Sequence, residues 1–94
     1  MFIGAVFYKF KLKRIEEAVG AWREHILPEA ERQPGFIKAE LFINEETGEG
    51  FDIGYWATRD DAQRYEDSGT FELLNHQMKD YLKSKGKERI CKYV

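Results

Sequence analysis

Two histidines, one cysteine, a scatter of carboxylates and a generous set of aromatic rings are the side chains here with chemical reach. His25 borders the apolar stripe of a helix expected from Arg14 to about Arg32. An imidazole titrates near neutrality and suits proton abstraction from a phenol, so a catalytic His25 stands beside the alternative of a structural or exposed one. His76 falls on a polar helix face with Glu72, Lys79 and Asp80, a solvated setting. Cys91 has no base beside it to activate the thiol. Two distant histidines and one cysteine form no metal-ligand spacing, so no metal site is expected. Gly48-Glu49-Gly50 joins two strands and opens no helix, which excludes a phosphate loop. Strand alternation sets Asp52, Gly54 and Trp56 on one face, where acid and indole can share a cavity with Gly54 leaving space between them. The competing reading makes Trp56 core and Asp52 a surface or cross-strand partner of a Lys or Arg. Asn75 lies within the apolar stripe of the last helix, where an inward amide either caps backbone or lines a pocket. Tyr8, Tyr55 and Tyr65 are candidate polar ends of a cavity or plain aromatic core.

The elements that must hold these residues follow from periodicity. Phe2 to Phe10 (FIGAVFYKF) carries a single charge and reads as a strand with little exposed area on either face. In the first helix Ile15, Ala18, Val19, Trp22, Ile26 and Ala30 share a stripe, and Pro28, lacking an amide hydrogen, predicts a kink. Pro34-Gly35 is a turn. Phe36 to Ile43 alternates, with Ile37, Ala39, Leu41 and Ile43 on one side and Phe36, Lys38, Glu40 and Phe42 on the other. A polar loop from Asn44 to Gly50 leads into the strand Phe51 to Trp56. Thr58 with Asp61 three positions on resembles a capping box for a helix through Tyr65. A further helix is predicted over Phe71 to Leu82, then a turn at Lys85-Gly86-Lys87 and a strand from Glu88 to Val94.

The order is β-α-β-β-α-β over one domain, residues 1–94: an α+β, ferredoxin-like arrangement with a four-stranded antiparallel sheet and helices on one face. Aromatics on the second face would form a patch large enough to drive association, so a homodimer through the sheet faces is expected. No apolar run is of membrane-spanning length, no signal peptide is visible, and a lone cysteine suits the reducing cytoplasm. A net charge of -2 offers no electrostatic reason to bind nucleic acid or an anionic membrane.

Pro28, Pro34-Gly35-Phe36, Tyr55-Trp56, Thr58, Asp61-Ala62, Tyr65-Glu66 and Phe71 together resemble the antibiotic biosynthesis monooxygenase (ABM) domain family, the dimeric α+β barrels. The resemblance implies sheet-to-sheet dimers with a small pocket between sheet and helices. It also implies oxygenation of small electron-rich aromatics, such as phenols, quinols or anthrones, without metal, flavin or other cofactor. The deprotonated substrate itself reduces dioxygen, and the protein supplies a dry cavity, a proton acceptor and dipoles. In that reading Asp52, Trp56, Asn75 and His25 are catalytic candidates, with Tyr65, Tyr8 and Tyr55 binding substrate. Anthrone-oxidising members carry Asn where this chain has Asp52, and an ionised Asp accepts a proton yet donates no hydrogen bond to an anionic oxygen. The haem-degrading branch wants an Asn on the first strand, a Trp near Tyr65 and a His at Asn75; all three are missing. A non-catalytic small-molecule binder or stress-related homodimer on the same scaffold is the alternative. The RNA recognition motif shares the topology, but Glu49 and Asp52 stand where it needs basic or neutral residues.

Overall fold

Four strands form one antiparallel sheet in the order β2-β3-β1-β4. The computed structural model describes residues 1–69, Glu72 and residues 76–94, with 85–88 described by backbone alone. Strands β1 (Phe2–Phe10), β2 (Phe36–Ile43), β3 (Glu49–Trp56) and β4 (Leu82–Lys92) are joined by helical segments that cover one face. After a 3₁₀ turn at Leu12–Arg14 come α1 (Ile15–Ala21), a π-helical turn (Trp22–Ile26) and α2 (Leu27–Glu31). Helix α3 (Arg59–Asp67) follows β3, and a short 3₁₀ turn (Lys79–Tyr81) precedes β4.

Alternation along the central strand β1 decides the layers. Gly4, Val6, Tyr8 and Phe10 face the helices and are buried, whereas Phe7 on the other face is 53% exposed. Opposite them Gly50, Asp52, Gly54 and Trp56 of β3 point the same inward way, since Val6 pairs with Asp52 and Gly4 with Gly54. Ala18, Trp22, Ile26 and Ala30 close the core from the helical side.

The predicted kink at Pro28 takes the form of the π turn. In a regular α-helix the ring of Pro28 would crowd the carbonyl of Glu24, which would also lose its donor. Widening the turn relieves this, and the amide of Leu27 bonds the carbonyl of Trp22, five residues back. The widening also explains why the buried positions recur every fourth residue. In an unbroken α-helix that spacing drifts about 40° per step, walking the stripe off the core.

Strand β2 departs from simple alternation. Phe36 pairs with Trp56 and Lys38 with Tyr55, so Ile37 is the extra residue of a β-bulge. The bulge flips the start of the strand: Phe36 packs inward, edge-on to Trp56 with ring centroids 5.5 Å apart, and Ile37 is 50% exposed. The expectation that Phe36 shares the outer face with Phe42 is therefore corrected. The predicted turn at Lys85-Gly86-Lys87 is likewise strand, because β4 begins at Leu82. The chain's surplus length there is absorbed by register shifts between Phe7 and Lys9 and between Lys9 and Phe10. The last helix correspondingly ends earlier than predicted, giving way to the 3₁₀ turn before Leu82.

The start of β2 and the end of β3 are clamped together. The amide of Ala57 donates to the carbonyl of Gly35, a residue at φ 77°, at 2.8 Å. Thr58 caps α3 as expected: its hydroxyl accepts from the Asp61 amide at 3.1 Å and donates to the Asp61 carboxylate at 2.8 Å. That carboxylate lies where a Cβ on residue 35 would sit. Gly35→Ala is expected to cost about 1–3 kcal/mol through backbone strain and collision with Asp61, and Thr58→Ala about 1 kcal/mol, both read by urea unfolding.

Candidate functional site

A small cavity opens between the inward face of the sheet and the helices. Its floor is β1 and β3: Gly4, Val6 and Tyr8 from one strand, Asp52, Gly54 and Trp56 from the other. Trp22, Ile26 and Leu27 of the widened helix form the roof, and Phe36, Ala39 and Tyr65 complete the wall. The free volume is about 30 Å³. A space of that size holds a water, a hydroxyl group or a diatomic molecule.

Among the described residues, Asp52 is the only charged group in the lining. Its cross-strand neighbours are Val6 and Leu41, so the reading in which it pairs with a Lys or Arg across the sheet is overturned. One hydrogen bond engages it: the indole Nε1 of Trp22 donates to Oδ2 at 3.0 Å. No second donor reaches the carboxyl among the described residues. The residue keeps some accessible surface, but the carboxyl itself is enclosed by protein, so charge is costly there. Burial raises its pKa from the ordinary 3.8 to about 6, and the Trp22 hydrogen bond partly opposes that rise.

Trp56 is 2% exposed and stacks near Tyr65, with centroids 5.1 Å apart and an interplanar angle of 33°. Its Nε1 lies 3.0 Å from the point a Cβ on residue 54 would occupy. Gly54 is thus filled by the indole of Trp56, and the free space expected above it is taken by that ring. No acceptor for the Trp56 N–H is found among the described residues. Among the described residues, a buried donor without an acceptor and a carboxylate oxygen without a donor therefore share one cavity.

Four of the seven residues singled out from the sequence meet here: Asp52, Trp56, Tyr65 and Tyr8. His25 does not; it is exposed and lines a separate surface groove with Glu24, Gln77 and Tyr81, because the π turn points it away from the sheet. Tyr55 is on the outer face, as strand parity with Trp56 requires. Lys38 Nζ sits 4.7 Å from its ring centroid, and a hydrogen bond with Glu40 holds its phenolic proton more tightly than usual. Asn75 lies outside the described residues. Among the described residues, no three His, Cys, Asp or Glu side chains gather at a spacing that would hold a metal ion. Trp22, by contrast, reads from the sequence as core alone. The one available signal was chemical: a buried indole N–H needs an acceptor, and Asp52 is an inward acid within reach of the same core.

Raising the pKa of an acid on folding means the folded state resists its ionisation. The penalty is absent below pH 3.8, grows as pH rises, and is complete above about 6. With roughly 1.4 kcal/mol for each pH unit of displacement, Asp52→Asn is expected to stabilise the fold by about 3 kcal/mol at pH 7.5. The difference should fade by pH 4, as chemical denaturation at both pH values would show.

No family model and no curated protein sequence matches the chain. Solved structures do. A Nitrosomonas europaea protein assigned to the antibiotic biosynthesis monooxygenases superposes with TM-score 0.76 at 18% identity, covering 100% of this chain and 99% of that one. SnoaB, a cofactor-independent oxygenase from Streptomyces nogalater, gives TM-score 0.72 at 13% identity, covering 98% and 91%. The ActVA-Orf6 monooxygenase of Streptomyces coelicolor, solved with nanaomycin D bound, gives 0.75 at 12%, covering 99% and 87%. From end to end, this chain has the fold of the antibiotic biosynthesis monooxygenase proteins.

Proposed function

We propose that the protein is a cofactor-independent monooxygenase acting on a small electron-rich aromatic molecule with an acidic hydroxyl. The observation that carries this reading is the pairing, inside an apolar, aromatic cavity, of an Asp52 oxygen and a Trp56 N–H that no described residue engages. A substrate hydroxyl satisfies both at once, donating to Asp52 and accepting from Trp56. Its acidic proton passes to Asp52, whose raised pKa suits it to accept a proton near neutrality. The protonated carboxyl then becomes a donor, so both Asp52 and Trp56 stabilise the new oxyanion. Asp therefore performs in two stages what a permanent donor does in one.

The electron-rich anion reduces dioxygen, and the radical pair recombines as a carbon–oxygen bond to give a peroxide anion, which takes the proton back from Asp52. Loss of water from the hydroperoxide leaves one oxygen atom on the carbon as a carbonyl. Every electron that reduces dioxygen comes from the substrate, so no external reductant enters the balance. The cavity as it stands admits the hydroxyl end of such a molecule. A full ring requires the half-buried Leu27 and Phe36 to move aside, a side-chain adjustment common on binding.

The active form in this reading is a homodimer through the outer sheet face. Phe7, Phe42 and Phe51 are 53%, 44% and 41% exposed there. They form a continuous aromatic strip, with centroids 6.1 Å apart for Phe7 and Phe51 and 5.5 Å for Phe42 and Phe51. A patch of this kind drives self-association. Phe51→Glu is expected to shift the sedimentation coefficient from dimer to monomer at micromolar concentration; a wild-type monomer would remove the interface from the proposal.

Protein-dependent oxygen uptake is expected with members of a phenol, quinol and anthrone panel, with stoichiometric carbonyl product. Asp52→Asn should lower kcat about 10²-fold, and Trp56→Phe about 10-fold or more. Wild-type activity should rise with pH through a midpoint near 6 as Asp52 ionises. Ligand-dependent thermal stabilisation with no oxygen uptake across the panel would instead identify a non-catalytic binder.

A further inference from the structure

Trp22 sits outside the set that strand parity or motif spacing brings together, yet it makes the one hydrogen bond that Asp52 has among the described residues. Three features converge on it. It opens the π turn, so the phase of the helix changes at its own position. Its carbonyl accepts the five-back bond from Leu27, the residue before Pro28. And the residue is 7% exposed, so a buried N–H there depends on a protein partner.

We infer that Trp22 is the positioning residue of Asp52: the π turn enforced by Pro28 delivers its Nε1–H to Oδ2, leaves Oδ1 as the acceptor that meets the ligand, and favours the charged form of the carboxyl. The inference rests on the reading of Asp52 as proton acceptor, and it deepens that reading by assigning the two carboxyl oxygens different tasks. A free carboxyl can rotate about its Cβ–Cγ bond and present either oxygen; a 3.0 Å bond to an indole held in the core removes that freedom. Among the described residues, the other titratable groups around the cavity are the phenols of Tyr8 on β1 and Tyr65 on α3, both of which have interactions of their own. No Lys, Arg or His among the described residues faces it from β2, β3 or the helices. The Trp22 N–H is thus the strongest identified influence opposing burial.

The test is a pH titration of the full-length, isotopically labelled protein by NMR, following the indole N–H resonances and the Asp52 carboxyl carbon. The chain has two tryptophans, so Trp22→Phe assigns the signals. In the wild type the Trp22 indole resonance is expected to move with a midpoint of about 6; in Asp52→Asn it should be flat. In Trp22→Phe the carboxyl midpoint should climb above the wild-type value of about 6, since a donor to the charged form is gone. Pro28→Ala, which restores the amide that a regular α-turn uses, should displace the indole resonance in the same direction as loss of the bond. An indole signal indifferent to Asp52, or a carboxyl midpoint unmoved in Trp22→Phe, overturns the inference. Should Trp22→Phe fail to fold, the comparison of wild type with Asp52→Asn decides alone. These readouts need no turnover: a linked titration without oxygen uptake would sink the monooxygenase reading while leaving the pairing intact.

Discussion

A single carboxylate enclosed by aromatic and aliphatic side chains is the constraint around which the inward half of this structure is arranged. An uncompensated charge in such a place would be expelled or neutralised, and one indole N–H is what Asp52 has instead. Holding that donor in place requires the helix to arrive with Trp22 over β3, which the π turn achieves. Gly54 lets the second indole lie against the strand, so the cavity acquires two indole donors of different status, one bonded to the acid and one that no described residue engages. Trp56 is held in turn by Phe36 and Tyr65, which pack on it from two sides.

The outer face of the same sheet is governed by a different physics. Its rings meet one another rather than a helix, and Phe7, Phe42 and Phe51 line up because the register opposes them across three neighbouring strands. The bulge at Ile37 ties the two faces together. By turning Phe36 inward it completes the wall around Trp56, and it leaves Ile37 on the outside in exchange. One inserted residue thus serves the cavity and alters the exposed face simultaneously, a common use of β-bulges near functional sites.

The three solved structures compared above share the fold at identities of 18% or less, so the backbone architecture is common where little of the sequence is. That is the expected behaviour of a scaffold specified by binary pattern, turns and caps, with chemistry resting on a few inward side chains. The catalytic proposal accordingly stands on the cavity of this chain: the carboxyl, its two oxygens and the two indoles.

Much was written in local pattern. The order of elements along the chain, the Thr58 cap, the Gly35 turn and the shared face of Asp52, Gly54 and Trp56 all follow from short-range pattern, which is a property of neighbouring residues and is readable from them. What the tertiary structure alone decided were quantities set by partners distant in the chain. The β-bulge, the irregular β4 that replaced a predicted turn, and the departure of His25 and Tyr55 from the cavity depend on register and helical phase. One-residue shifts in either reverse a side chain's direction without changing composition. The Trp22–Asp52 bond is the clearest case: thirty positions separate donor from acceptor, and neither residue type nor spacing specifies the pair. Only packing the widened helix onto the sheet brings the indole within hydrogen-bonding distance, because burial leaves each group no other partner.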